Sequence, residues 1–367
     1  MSHRILITGN MGYVGPGVVQ HLRRTFPGAE LIGYDLGFFA QCLTGNGRLP
    51  ESRLDRQVFG DVRAVPAALL AGVTAVVHLA AISNDPMGNL YEDVTMAINH
   101  RAGVVLARQA KAAGVRSFVF ASSCSIYGEG GNDAKTEDSA LNPLTAYARS
   151  KVASERDLAP LADADFVVTC LRFATACGWS DRLRLDLVLN DFVASAVASG
   201  EISILSDGMP WRPLIHVRDM ARAIEWAIGR PATHGGQFLA INTGSDTWNY
   251  RVLALAAAVA VALPGTQVGV NPAAAPDRRS YRVDFSLYRQ LAPDHQPQHT
   301  LAATIAELQM QLVATGFRDA AFRTSHLMRL RTLATLRDQG ELTEDLTWAA
   351  PAAQVAAPTE VATMSLA

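Results

Sequence analysis

The sequence predicts an α/β fold: a doubly wound parallel sheet with a smaller C-terminal α/β unit. Three observations carry this expectation. Apolar strand-like stretches alternate with helical segments through the first half of the chain, the pattern of a parallel sheet covered on both faces. A glycine-rich loop, Thr8-Gly9-Asn10-Met11-Gly12-Tyr13-Val14-Gly15, joins the first strand to the first helix. Tyr147 and Lys151 follow a strand ending in serines, and their four-residue spacing places both on one helix face.

The elements follow in order. Residues 4–8 are read as the first strand and 15–25 as the first helix; 30–34 form a second strand ending at Asp35. Short strands are expected at 58–61 and 75–79. Residues 95–113 carry helical periodicity through Ile98, Ala102, Val105 and Leu106. The run 117–123, rich in Phe and Val, reads as a buried fifth strand. The Tyr147 helix comes next, then a sixth strand at 166–171. Beyond it the chain shifts to shorter elements: a helix within 181–200, a strand at 201–205, and a helix at 217–228. A Pro- and Arg-rich stretch at 264–284 reads as a mobile loop over a cleft. Helices are expected at 301–315 and 323–339. The resulting plan is a first domain over 1–172, a second over 173–348, and a flexible tail over 349–367.

Composition narrows the function classes. The 367 residues are 49% hydrophobic and 18% charged, with a formal net charge of −2. That profile suits a globular enzyme and offers no bulk charge for a nucleic acid or an anionic membrane. Cys42, Cys124, Cys170 and Cys177 lack metal-ligand spacing, so neither a metal site nor a disulfide framework is expected, and a reducing cytoplasm fits. No signal peptide is read at the start. The apolar run 252–263 is about half the roughly 20 residues a membrane span needs, and reads as a packed helix.

The chemistry concentrates in a few constellations. Gly9, Gly12 and Gly15, with Tyr13 and Val14 between them, let the backbone turn tightly and a pyrophosphate approach the helix N-terminus. The spacing is one residue longer than the common Rossmann fingerprint. Asp35, at the end of the second strand, is placed to accept hydrogen bonds from a ribose, which favours NAD over NADP. Asp61 and Val62 read as the adenine edge or as an ordinary surface turn. Leu79, Ala80 and Ala81 are small enough for a cofactor to lie against the backbone. His78 reads as a packed structural histidine. Asn99 either steadies the loop near the nicotinamide or is a polar residue on a helix face. Ser122, Ser123 and Ser125 stand at the carboxyl edge of the fifth strand, where open α/β sheets bind ligands. Cys124 should face away from its serine neighbours by strand alternation. The Lys151 charge is expected to lower the Tyr147 pKa toward a value useful for proton transfer.

Together these residues resemble the extended short-chain dehydrogenase/reductase superfamily, in its NAD-dependent nucleotide-sugar epimerase/dehydratase branch. The resemblance spans about residues 4–284. It continues through Leu171-Arg172-Phe173 and Gly208-Met209-Pro210-Trp211-Arg212-Pro213 into Leu214-Ile215-His216-Val217-Arg218-Asp219. It implies a Rossmann-type NAD domain that includes Phe173, and a C-terminal substrate domain for a nucleoside diphosphate-sugar. By that similarity Tyr147 is the base, Lys151 holds the nicotinamide ribose, and Ser123 positions the substrate. Arg212 matches the pyrophosphate-binding arginine, Asn190 a substrate-side asparagine, and Arg278 or Arg279 a second phosphate contact. A homodimer built on the helices around 95–113 and 147–157 is implied as well.

Departures from the family pattern narrow the reaction. The 4,6-dehydratases carry Asp-Glu where this chain has Cys124-Ser125, so β-elimination lacks its acid and base. Ser125 also occupies the cysteine position of enzymes that epimerise C3 and C5. Thr175 replaces the asparagine of the galactose epimerases, and 315–348 extends beyond the usual core. The resulting expectation is an epimerase acting through a transient 4-keto sugar. A 4-ketoreductase and, from another class, a non-catalytic NAD-binding sensor are the alternatives.

Overall fold

A computed structural model describes residues 3–45, 47–83, 85–271 and 279–350. Its centre is a seven-stranded sheet: β1 (Arg4–Thr8), β2 (Glu30–Asp35), β3 (Arg56–Phe59), β4 (Ala75–His78), β5 (Ser117–Ser123), β6 (Val167–Phe173) and β7 (Phe238–Thr243). Every pairing is parallel, in the spatial order β7-β6-β5-β4-β1-β2-β3. The order reverses between β1 and β4, and the carboxyl ends of these strands open a crevice there.

Alternation along β1 shows why both faces are covered. Ile5 and Ile7 pack with Val18, Val19 and Leu22 of the helix Gly15–Thr25 and with Ile224 of the helix Val217–Gly229. Leu6 points the other way, into a cluster with Phe118, Phe120, Leu106 and Leu158. Successive side chains on a strand face opposite sides, so one apolar run fills two cores. All three residues are fully buried, and each such side chain contributes roughly 1.5–3 kcal/mol of transfer free energy.

The second half adds small sheets beyond the carboxyl ends of β5 and β6. Trp211–His216 pairs with Thr175–Cys177 and with Asn249–Arg251; Glu201–Ile204 pairs with Gln267–Val270; Ser280–Val283 pairs with Glu129–Lys135. Two expectations are corrected here. The stretch 264–284 contains two paired strands instead of one loop, with 272–278 outside the described residues. The boundary at 172 cuts through β6, and the second half returns β7 to the main sheet. Short strands carry too little periodicity for the sequence to announce them, and their pairing is long-range.

The last helix among the described residues is Arg329–Asp338, shorter than the expected 323–339, and it is preceded by a turn at Phe322–Thr324. Beyond it, Leu333, Leu342 and Leu346 join the same buried cluster as Tyr34, Phe38 and Val62. The C-terminal segment thus packs on the first half of its own chain. Of the expected tail over 349–367, residues 351–367 lie outside the described residues.

Candidate active site

A cavity of about 820 Å³ follows the crevice from the β2 and β3 loops, past the glycine loop, to the small sheets of the second half. At Gly9 and Gly15 the backbone leaves no room for a side chain. Gly9 has φ +74°, and a Cβ there would come within 2.5 Å of the Ala80 nitrogen. A Cβ on Gly15 would lie 2.0 Å from the Asn10 oxygen. The helix that follows has Pro16 in its first turn, no side-chain cap and no acid there. Its first amides are therefore unclaimed, and its positive end is not neutralised. This cradle fits the pyrophosphate of a dinucleotide.

Asp35 stands beside it, with Oδ2 accepting from Met11 N at 3.0 Å and Oδ1 from Gly37 N at 2.8 Å. Burial raises its carboxyl pKa, and the two amides oppose that rise. Its remaining lone pairs suit a ribose. Asp61 and Val62 line the same end of the cavity. The Asp61 carboxylate is held by Arg63, with Nε at 3.0 and 2.9 Å from its two oxygens. Leu79, Ala80 and Ala81 form a further wall. Tyr13 also lines the cavity, but its hydroxyl donates to the Gly178 carbonyl at 2.6 Å and turns into the protein.

Tyr147 and Lys151 project from the helix Ala146–Leu158, whose N-cap is Thr145. Thr145 Oγ1 accepts from Ala148 N and donates to Asp85 Oδ1 at 2.6 Å. Ser123, Tyr147, Lys151 and Phe173 all face the cavity. Burial pushes the Tyr147 phenol up to about 12, against a hydrogen bond with Ser123 that lowers it. The expected fall driven by Lys151 is therefore not found. The ammonium points elsewhere, donating to the Ala121 carbonyl at 2.6 Å beneath the Phe120 ring. Burial brings Lys151 itself down to about 8.

Supporting residues fix this centre. Asn99 lies in a π-helical turn, Met96–Ala102, of the kind often met at functional sites. Its carboxamide accepts from Ile82 N and donates both to Ile82 O and to the Ser150 hydroxyl. Ser122 lines the cavity, but its hydroxyl donates to Glu155, which is ion-paired with buried Arg172. Cys124 turns inward, its thiol on the Arg172 carbonyl and its pKa driven up by burial. His78 is buried, with Nδ1 2.7 Å from Thr8 Oγ1, and burial lowers it to about 3.

On the substrate side, Ser125, Thr175, Arg212 and Arg279 line the cavity. The Ser125 hydroxyl is buried without a hydrogen-bond partner among the described residues, an open donor and acceptor for a ligand. Arg279 pairs with Asp85 at 2.7 Å. Arg278 lies outside the described residues. Asn190 is corrected: it is fully buried and does not line the cavity. Its carboxamide accepts from Gly178 N and donates to Tyr13 Oη and Arg184 O. The helix Val188–Ser199 turns that face inward and offers Asp191 to the cavity instead.

Several lining residues escaped sequence reasoning: Asp85, Arg184, Asp186, Asp191, Arg323 and Arg329. Arg184 is held by Asp186 at 2.8 and 3.0 Å and donates to the Ser83 hydroxyl at 2.8 Å. An Arg-x-Asp spacing was the one signal available for it, and scattered charges of that kind are common.

Comparison with known proteins places this geometry. A family model described as the NAD dependent epimerase/dehydratase family matches residues 5–243. The chain is 30% identical over 315 residues to the UDP-glucose 4-epimerase of Mycolicibacterium smegmatis, covering 83% of this chain and 96% of that one. It is 29% identical over 320 residues to the dTDP-glucose 4,6-dehydratase of Streptomyces griseus, covering 83% and 94%. Among solved structures, MoeE5 in complex with UDP-glucose and NAD superposes with a TM-score of 0.72 at 24% identity, covering 85% and 99%.

Proposed function

The chain belongs to the NAD-dependent epimerase/dehydratase family of enzymes, and on that premise we propose that it is a nucleotide-sugar epimerase working through a 4-keto sugar. One observation carries the choice of epimerisation over dehydration. Asp85, Asp186 and Asp191 all line the cavity, and each is matched to an arginine: Arg279 at 2.7 Å, Arg184 at 2.8 Å and Arg323 at 2.6 Å. Each of these carboxylates is therefore engaged by a guanidinium in place of standing open as the acid or base of an elimination. With Cys124 turned inward, the described residues offer β-elimination no open acid–base pair beside Tyr147. Epimerisation needs neither.

In this reading Tyr147 takes the proton of the O4 hydroxyl, which Ser123 holds by a hydrogen bond. NAD, when bound, would supply the acceptor, and later the donor, of the C4 hydride. Gly9, Gly12, Gly15 and Asp35 would hold it, with Lys151 beside the nicotinamide ribose. Arg212 and Arg279 grip the diphosphate, so the oxidised sugar turns while still tethered. Tyr147 then gives its proton back, and no net redox change results.

The test is to incubate purified protein with a panel of nucleotide sugars and follow stereochemistry by NMR. Inversion at C4 without loss of NADH supports the epimerase. Steady NADH consumption with a 4-keto sugar would make it a ketoreductase, and release of water to a 4-keto-6-deoxy product would make it a dehydratase. The homodimer implied by the family resemblance would use the helices Gly103–Ala112 and Ala146–Leu158. Val105 on that surface is 45% exposed.

A further inference from the structure

The C-terminal segment is more than a packing appendage, because it reaches the cavity with Arg323, Met328 and Arg329. Arg329 is 1% exposed, and its guanidinium stacks on the Phe39 ring at 4.8 Å. Its hydrogen bonds go to backbone carbonyls, Arg182 O at 2.8 Å and His326 O at 3.4 Å. Among the described residues it has no ion pair. Its cationic neighbours Arg182 and Arg184 are matched by Glu51 and Asp186. Arg329 is therefore a buried cation whose hydrogen bonds among the described residues go to neutral carbonyls, and such a charge is costly unless an anion comes to it. Cys42, Arg184, Asp186 and Arg182 are among the groups close enough to act on the Arg329 charge. It thus lies between the Asp35 loop, through Phe39, and the Tyr147 end, through Arg184.

The same segment fastens both walls of the adenosine end. The Trp348 indole donates to the Leu36 carbonyl at 2.7 Å and meets the Phe38 ring at 5.5 Å. The Cys42 thiol donates to the His326 carbonyl at 3.4 Å. Arg63, ion-paired to Asp61, also donates to the carbonyls of Asp345 at 2.7 Å and Leu346 at 3.1 Å. The loops after β2 and β3, which line the cavity, are both tied to residues near the end of the described chain.

We propose that the segment 322–348 is part of the dinucleotide site. Arg329 is a cationic contact for the diphosphate, and Trp348 and Arg63 hold the adenosine walls closed. This rests on the family's NAD cofactor but not on which sugar reaction follows. A diphosphate lying between Asp35 and Tyr147 meets the amides of the glycine loop and the Arg329 charge in one cavity. Release of the dinucleotide requires the tied loops to part, so the segment slows its escape.

The test measures NAD content of the purified full chain, then the affinity of stripped protein for NAD, ADP-ribose and adenosine. Arg329→Met, which keeps the apolar stem, should weaken NAD and ADP-ribose by roughly 10- to 100-fold and leave adenosine unchanged. Arg329→Lys should recover part of that loss. Trp348→Leu should speed release of bound NAD about five-fold or more, on the order of one lost hydrogen bond. Unaltered NAD affinity in Arg329→Met, or an equal loss for adenosine, overturns the diphosphate contact. Unaltered release from Trp348→Leu overturns the fastening. Wild-type protein that neither carries nor binds NAD would instead sink the cofactor reading itself, before any variant is made.

Discussion

The Lys151 ammonium sits 5.4 Å from the centre of the Tyr147 ring yet donates its hydrogen bond to the Ala121 carbonyl, so the phenol is tuned by other groups. Burial raises that phenol, while Ser123 and, more weakly, Arg184 oppose the rise. The pairing of these two residues is thus spatial without being a direct proton relay.

Tyr147→Phe should lower turnover by about 10²–10⁴-fold, the usual worth of a positioned acid or base, while NAD stays bound. Single-turnover kinetics and NAD content together check this. Turnover equal to wild type would reject Tyr147 as the base.

Ser123→Ala removes the largest interaction that lowers the Tyr147 pKa. The phenol pKa should rise further, and the acid limb of the pH–rate profile should move to higher pH. An unmoved limb would mean that Ser123 serves substrate position alone.

Burial depresses Lys151 from its ordinary value of 10.5 to about 8. Between those values the unfolded chain binds the proton more readily, so this group's penalty is complete below pH 8 and fades as pH rises toward 10.5. Lys151→Met should therefore raise stability at pH 7 by about 1–3 kcal/mol, less the lost bond to Ala121, while impairing catalysis. Denaturant melts at pH 7 and pH 10 check the sign, since the gain should shrink at the higher pH.

His78 behaves with the same sign at the acid end. Burial holds it near 3 against 6.5 in the unfolded chain, so its contribution is intact above 6.5 and is lost as pH falls toward 3. His78→Gln should show a shallower loss of stability than wild type between pH 6.5 and pH 4. Parallel curves for the two proteins would remove His78 as an acid-sensitive group.

Asp35→Ala should weaken NAD more than nucleotide sugar, and Arg212→Ala the reverse, each by roughly 10-fold or more. Calorimetric titration of both ligands against both variants makes the comparison. Equal losses of both ligands in Asp35→Ala would show that it acts through folding, by way of its bonds to Met11 and Gly37.

Local signals made much of this protein readable. The strand–glycine loop–helix start, the aspartate closing β2 and the Tyr147/Lys151 spacing depend on neighbours a few residues apart, and backbone sterics and helical periodicity act at that range. From these came the doubly wound sheet, and the candidate cofactor and catalytic residues that line one cavity. Tertiary packing decided the rest. Asn190 has the expected residue type, but the rotation of its helix spends its carboxamide on Tyr13, Gly178 and Arg184. The Tyr147 pKa was expected to fall from a spacing argument and rises because burial outweighs neighbouring charge. Arg184 and Arg329 come from distant segments, with Arg329 nearly 300 residues from Asp35. No short-range pattern brings them to the cavity. Desolvation and ion pairing are set by which surfaces meet, and that is known only once the chain has folded.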